Sequence, residues 1–268
     1  MSDKELWVIK LGGSVISDKT KDMVFREDVI DHIVSDISKL NKRLMVVHGV
    51  GSAGHPPVLK YEIHKGFKSK DQLEGLTIAQ NRVNKVRQLI AETFEKYRLP
   101  GFLFYPSSFI ESSKGRISSI FETAIKKYFD LGAIPILSGD VVVDTAMGFS
   151  VLSGDQIVTK LAQLFNADKV IYGIDVDGLF TAPPNKVQNA KHIPEIKLDN
   201  LKRMIDAVGG SQGIDVSGGM RGKIKEIILA EEFLKQGKEI ILLNMLQEHP
   251  LTRLERNDPT LKMTRIKY

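Results

Sequence analysis

Two apolar runs near the start of the chain, residues 6–11 and 44–47, enclose a stretch of helical periodicity, and both stop at glycine. The first, LWVIKL, breaks at Gly12-Gly13-Ser14. The second ends at His48 and runs into Gly49-Val50-Gly51-Ser52-Ala53-Gly54-His55-Pro56-Pro57. Between them Val29, Ile30, Ile33, Ile37 and Leu40 recur at the spacing of one helix face. Strand, helix, strand is a βαβ unit, which implies a parallel sheet with helices on its faces. Ligands of such sheets bind beyond the carboxyl ends of the strands, where these glycines fall.

The alternation continues. Helices are expected over 77–97, 118–131, 156–166, 198–208 and 223–235. Strands are expected over 101–105, 133–137, 169–174, 239–243 and 263–267. Residues 141–144 and 148–152 flank a turn and read as a β-hairpin. Residues 58–75 are polar and read as a mobile loop or lid, and 181–195 as a proline- and lysine-rich loop. No repeat or linker interrupts the pattern. One domain with two lobes is expected, about 1–165 and about 166–268.

Composition bounds the function. Of 268 residues, 42% are hydrophobic and 26% charged, as in ordinary globular proteins. The net charge of +5 comes from interleaved cations and anions, not a basic run, so nucleic-acid binding is not expected. With no cysteine, disulfides and thiolate metal sites are excluded. No apolar stretch approaches a membrane span, and MSDKELW lacks a signal-peptide core. A cytoplasmic protein with no membrane partner is the expectation.

Glycine after a strand lets backbone N–H groups approach phosphate oxygens, and a following helix N-terminus adds a favourable dipole. Such glycines occur at 12–13, 49–54 and 178. Residues 49–54 match G-x-G-x-x-G, but no helix is expected after them and no acid ends a following strand, so a dinucleotide site is not supported. Gly222-Lys223 lacks the Ser or Thr of a P-loop, and Gly209-Gly210-Ser211-Gln212-Gly213 lacks the strand before a nucleophile elbow. Lys10 sits inside an apolar strand, where its charge needs an anion unless the side chain reaches past the strand end to solvent. Lys223 is placed at the start of a helix, the end that favours anions over cations. Asp140, Asp155, Asp175 and Asp177 each follow a strand. With the lysines, they suit magnesium-nucleotide chemistry. His55 lies among the glycines, able to donate to a phosphate, while His48 supports the loop. His32, His64, His192 and His249 lack metal-ligand spacing and are expected on the surface.

These pieces, with Lys19, Ser138-Gly139-Asp140-Val141, Ser153-Gly154-Asp155-Gln156, Asp175-Val176-Asp177-Gly178 and Asp215-Val216-Ser217-Gly218-Gly219-Met220, resemble the amino-acid kinase superfamily from end to end. Within it the chain is most similar to the archaeal isopentenyl phosphate kinases, because of His55. The resemblance implies a three-layer αβα sandwich around a mainly parallel central sheet. It also implies phosphorylation of isopentenyl phosphate by ATP with Mg²⁺, in a homodimer. The first lobe would take the acceptor and the second the nucleotide.

The catalytic set so implied is Lys10, Lys19, His55, Asp155 and Lys223. Lys10 and Lys223 would neutralise the moving phosphoryl group and Asp155 would hold both. Lys19 would contact the nucleotide phosphates or the moving group. Leu11, Gly12, Gly13, Ser14, Gly51, Asp175, Gly219 and Lys223 would bind the nucleotide. Gly49, Val50, His55 and Gly154 would bind the acceptor phosphate. No protein metal ligand is implied. The chain departs from the family at Ala53, where Phe is usual, at Val50, where Gly or Ala is usual, and over 179–189. An isoprenoid acceptor also requires an apolar pocket, for which Ile78, Val83, Val86, Phe109, Ile117 and Ile157 are candidates. A polar pocket would favour another acceptor such as fosfomycin. The other alternative is a nucleotide- or anion-binding protein without catalysis.

Overall fold

The structure is a computed structural model that describes residues 4–18, 20–182, 188–207 and 219–268. Lys19 and residues 208–218, with Asp215 to Gly218 of the glycine-rich segment, lie outside them.

In chain order the elements are β1 (Leu6–Leu11), α1 (Gly13–Ile16), α2 (Glu27–Ile37), β2 (Arg43–His48), α3 (Gly51–Lys60), α4 (Gln72–Lys96), β3 (Gly101–Leu103), β4 (Ile110–Ser113), β5 (Arg116–Ile120), α5 (Thr123–Asp130), β6 (Ile134–Ser138), β7 (Asp140–Asp144), β8 (Gly148–Leu152) and α6 (Gly154–Leu164). There follow β9 (Lys169–Ile174), β10 (Leu179–Phe180), β11 (His192–Ile193), β12 (Glu195–Lys197), α7 (Leu198–Ala207), α8 (Gly219–Leu229), α9 (Glu231–Lys235), β13 (Glu239–Asn244), α10 (Pro250–Glu255) and β14 (Met263–Lys267).

The central sheet has eight strands in the order β12-β14-β13-β9-β1-β2-β6-β3. From β13 to β3 it is wholly parallel, and β14 pairs antiparallel to β13. Alternation along β1 sets the layers. Leu6 and Val8 enter the core that α5, α6, α7, α8 and α9 cover. Trp7, Ile9 and Leu11 enter the opposite core, under α2, α4 and α10. Lys10 is therefore on the α6 face of the strand. The chain leaves β1 for β2 on one side, while β9 pairs on the other. That reversal is the switch point at which open α/β sheets bind ligands. The order supports the expected α/β sandwich.

A second sheet, β5-β4-β7-β8, stands beside the first. The β7–β8 hairpin matches expectation. The helix expected over 118–131 does not form over its whole span: β4 and β5 make a hairpin, and only α5 is helical. The turn is Lys114-Gly115, both at positive φ, 52° and 74°. Two left-handed residues give the tight turn whose twist suits a hairpin. The Asp144 carboxylate makes that costly conformation stable by accepting from both turn amides, at 3.1 and 2.8 Å. Burial alone would raise its pKa. The amides of Gly115, Ala146 and Met147, with the Ser112 hydroxyl, outweigh burial and hold the carboxyl well below the usual range.

The polar stretch 58–75 is not loop throughout. It holds the end of α3, a 3₁₀ turn at Ile63–Lys65 and the start of α4. Buried Gln72 ties it together by accepting from Lys68 N at 2.6 Å and donating to the Tyr61 and Gly66 carbonyls at 3.1 Å. The strand expected over 101–105 is cut to β3 before a 3₁₀ turn at Pro106–Ser108. The loop expected over 181–195 contains β11, and α10 was not expected at all. Of the histidines expected on the surface, only His64 is exposed, and His32, His192 and His249 are half-buried.

The loops after β1 and β2 lie against each other. A Cβ on Gly49 would stand 2.6 Å from Gly13 N and 2.9 Å from its Cα, backbone that cannot step aside. Gly49→Ala is expected to cost about 1–3 kcal/mol of stability, read as a lower urea midpoint with an unchanged slope.

Candidate active site

A cleft of about 560 Å³ opens beyond the carboxyl ends of β1, β2, β6 and β9. Gly12, Gly13 and Ser14 follow β1, Gly49 and Val50 follow β2, Gly139 follows β6, and Asp175 follows β9; all line it. So do residues from the first two turns of three helices: Gly54 and His55 of α3, Gly154 and Asp155 of α6, and Gly219, Met220 and Lys223 of α8. Helix N-termini carry partial positive charge and unpaired N–H groups. Three converging with two lysines make a strongly anion-attracting end.

Asp155 organises the lysines. Its Oδ1 accepts from Lys10 Nζ at 2.6 Å and from Lys223 Nζ at 2.7 Å. Lys10 is 6% exposed, Lys223 6% and Asp155 2%, so none of the three charges is diluted by water. The possibility that Lys10 merely reaches solvent is thereby excluded. Ser153 caps α6 by accepting from Gln156 N at 3.2 Å, which fixes the turn bearing Asp155. Gly154 leaves the path open: a Cβ there would lie 3.3 Å from Lys10 Cε. Behind the triad, the Thr159 hydroxyl donates to the Asp155 carbonyl at 3.1 Å and pairs with Tyr172 OH at 2.8 Å. Lys223 also stands 5.0 Å from the centre of the Tyr172 ring. It does not open α8, as expected, but lies in its second turn, because the helix begins at Gly219. Glu226, one turn further on, is held by Arg116 of β5.

Burial pushes the Lys10 ammonium down to about 8, and the like charge of Lys223 adds to this against the attraction of Asp155. Burial would raise Asp155, but the two lysines dominate and leave it at about 2. A lysine lowered in this way is cationic below its pKa and neutral above it. If its charge is needed, kcat/KM should fall as pH rises through about 8. The kcat limb should lie higher where the bound substrate is an anion, because an anion favours the cation. A flat profile from pH 7 to 10 would show that no lysine titrating near 8 limits the reaction.

The other end of the cleft is apolar. Val58 of α3, Leu76, Ala79 and Val83 of α4, and Val141, Phe149 and Val151 of β7 and β8 line it. The α4 residues share one face at helical spacing. Of the six expected pocket residues only Val83 lines the cleft. Val86 and Ile157 are spent in the two main cores, and Phe109 and Ile117 pack against one of them.

Among the expected site residues, Lys10, Gly12, Gly13, Ser14, Gly49, Val50, His55, Gly154, Asp155, Asp175, Gly219 and Lys223 all line this cleft. Leu11 and Gly51 do not. Leu11 is fully buried, and its carbonyl ties the two loops by accepting from Gly49 N at 2.8 Å. Gly51, at φ 50°, packs against Gly13 and Ser17. Nor does Gly178, which packs on Thr264 at φ 118°. Asp177 accepts from Asn244 Nδ2 at 2.8 Å instead of facing the cleft. Asp140 does line it, but buried Arg87 takes its Oδ2 at 2.6 Å. His55 is not in a loop, because residues 51–60 are helical through Pro56 and Pro57.

The profile of the amino acid kinase family matches residues 5–244. The chain belongs to that family. Its relatives among amino acid kinases include the isopentenyl phosphate kinase of Methanothermobacter thermautotrophicus, 35% identical over 88% of this chain and 90% of that one. The isopentenyl phosphate kinase of Methanocaldococcus jannaschii is 34% identical over 83% and 86%. A crystal structure of an isopentenyl phosphate kinase superposes with a TM-score of 0.82 at 31% identity, covering 98% of this chain and all of the other.

Sequence reasoning about this amino acid kinase missed two arginines of α4. Arg87, 1% exposed, donates from Nε to Ser138 Oγ at 2.9 Å as well as to Asp140, and so joins α4 to the end of β6. Arg82 donates from Nε to the Ala53 carbonyl at 2.8 Å and from Nη2 to the Ser52 carbonyl at 3.2 Å. A basic residue on a helix next to an apolar lining residue was the available signal. Its partners are backbone atoms, which leave no mark in the sequence.

Proposed function

We propose that this chain transfers the γ-phosphoryl group of ATP to the phosphate of isopentenyl phosphate, giving isopentenyl diphosphate and ADP. The observation that carries this reading is the cleft's division into a cationic end at Lys10, Asp155 and Lys223 and an apolar end at Val58, Leu76, Val83 and Phe149. A phosphate with a short hydrocarbon tail has the same two parts. The named relatives support it.

In the reaction, an acceptor phosphate oxygen attacks the γ-phosphorus. The new P–O bond forms as the bond to the β,γ-bridging oxygen breaks, and its electron pair leaves with ADP. A phosphate oxygen is already nucleophilic at neutral pH, so no strong general base is needed. Of the three cleft carboxylates, Asp140 and Asp155 are engaged by cations, and Asp175 is assigned to the nucleotide. Positioning and charge neutralisation carry the catalysis. Lys10 and Lys223, held by Asp155, offset the charge of the moving group. Gly12, Gly13, Ser14, Asp175 and Gly219 take the nucleotide, and Lys19 is assigned to its phosphates or the moving group. Gly49, Val50, Gly154 and His55 take the acceptor. The acceptor residues all lie in the lobe up to about residue 165, while the nucleotide is shared between Gly12, Gly13 and Ser14 of that lobe and Asp175 and Gly219 of the other. Magnesium enters as the ion that ATP carries. We place the enzyme in the cytoplasm as a homodimer, a state that sedimentation would check.

An ADP-release assay over isopentenyl phosphate, dimethylallyl phosphate, fosfomycin, UMP and acetylglutamate tests the acceptor. The two prenyl phosphates should lead in kcat/KM. Preference for fosfomycin or another polar acceptor would overturn the assignment, and no turnover with any would support a binding-only protein.

A further inference from the structure

The helix that presents His55 contains two consecutive prolines, Pro56 and Pro57, in its interior. In an α-helix the amide of each residue bonds the carbonyl four positions back. Proline has no such amide, and its ring crowds that carbonyl. The two carbonyls deprived are Ser52 and Ala53, by count of four. They belong to the first turn of α3, next to Gly54 and His55 in the cleft wall. Ser52 and Ala53 are both buried, at 6% and 0% exposure, so water is a poor substitute. A buried carbonyl left unpaired is costly.

These are the two carbonyls that Arg82 takes, Ala53 O at 2.8 Å and Ser52 O at 3.2 Å. The fork of the guanidinium suits two neighbouring acceptors in a way that a lysine ammonium does not. Arg82 also meets Asp22, whose side chain is 61% exposed; such a pair adds little in water. The backbone contacts are the substantial ones. Val83, the next residue of α4, lines the cleft, so one turn of α4 both walls the pocket and ties down the helix opposite.

We propose that Arg82 is a positioning residue for the acceptor. It replaces the two hydrogen bonds that Pro56 and Pro57 delete from α3, and so fixes the helix turn that carries Gly54 and His55. The proposal rests on the reading of that turn as the acceptor-phosphate site. It predicts a specific interdependence: Arg82 matters only while the prolines are present. In the Pro56→Ala/Pro57→Ala background the helix regains its own donors and the arginine becomes redundant.

The test is a double-mutant cycle in the full-length enzyme. Arg82→Ala should raise KM for isopentenyl phosphate on the order of tenfold, with KM for ATP within about twofold. In the double-alanine background the same change should move the acceptor KM by less than about twofold. An equal rise in both backgrounds, or an equal rise in both KM values, would overturn the proposal. Amide exchange across residues 51–60 reads the same cycle without substrate. Arg82→Ala should speed exchange there in the parent and not in the double-alanine background, and unaltered exchange in both would also overturn it. If the parent enzyme does not turn over isopentenyl phosphate, the assigned acceptor fails, while the exchange cycle still decides the role of Arg82.

Discussion

Asp155→Asn is expected to lower kcat on the order of a thousandfold and to lower stability by about 3–5 kcal/mol. One carboxylate oxygen holds both ammonium groups, at 2.6 and 2.7 Å. Asparagine keeps the shape and an accepting oxygen but removes the charge. Two cations then share a buried site with no anion. The system can relieve this only by separating the lysines or by losing a proton, and Lys10, already lowered to about 8, is the group poised to lose it. On the proposed reading, either response removes the charge that offsets the moving phosphoryl group. A second substitution separates the two effects. Adding Lys10→Met to Asp155→Asn removes one of the uncompensated charges and should recover stability, while activity stays lost. Chemical denaturation and kcat on the same samples check this. A single mutant with kcat within tenfold of the parent would show that the triad is structural only.

His55→Ala is expected to raise KM for the acceptor roughly 10- to 100-fold, the range of one hydrogen bond to a charged group, while KM for ATP stays nearly unchanged. His55 is half-buried on α3 and lines the cleft. The apolar wall formed by Val58, Leu76 and Ala79 belongs to the same and the next helix. On the proposed reading, loss of the imidazole removes a donor to the acceptor phosphate while leaving Gly12 and Gly13, on the loop after β1, untouched. His55→Gln keeps an N–H donor and should fall between the two. Equal weakening of both substrates would refute the assignment, because it would mean that the histidine supports the cleft as a whole.

What was readable in the sequence was local. β1 could be read because an apolar run ended at two glycines, and Lys10 stood out because a charge in such a run requires a partner. That its partner is Asp155 was implied by the family resemblance; the physical reason is that Lys10 shares the face of β1 on which α6 packs. The cleft wall was not readable. Leu76, Ala79 and Val83 share one face of α4, but Ile78 on the same helix does not line the cleft, and only packing distinguishes them. Phe149 and Val58 come from elements about 90 residues apart. The α3 helix was hidden by its prolines, whose usual effect is to end a helix; Arg82 supplies what they remove. The hairpin over 110–120 was hidden because Lys114 adopts its left-handed conformation with the help of Asp144, thirty residues away. In each case the deciding contact is distant in sequence.

The central claim is that a cationic site built on Asp155 joins the phosphates of ATP and a prenyl phosphate. Phosphorus NMR of purified enzyme with ATP, magnesium and isopentenyl phosphate tests it most directly. The monoester signal should disappear as two coupled diphosphate signals of isopentenyl diphosphate grow, with one ADP formed per product. ADP formed with inorganic phosphate in its place, or an unchanged monoester signal beside active turnover of another acceptor, would contradict it.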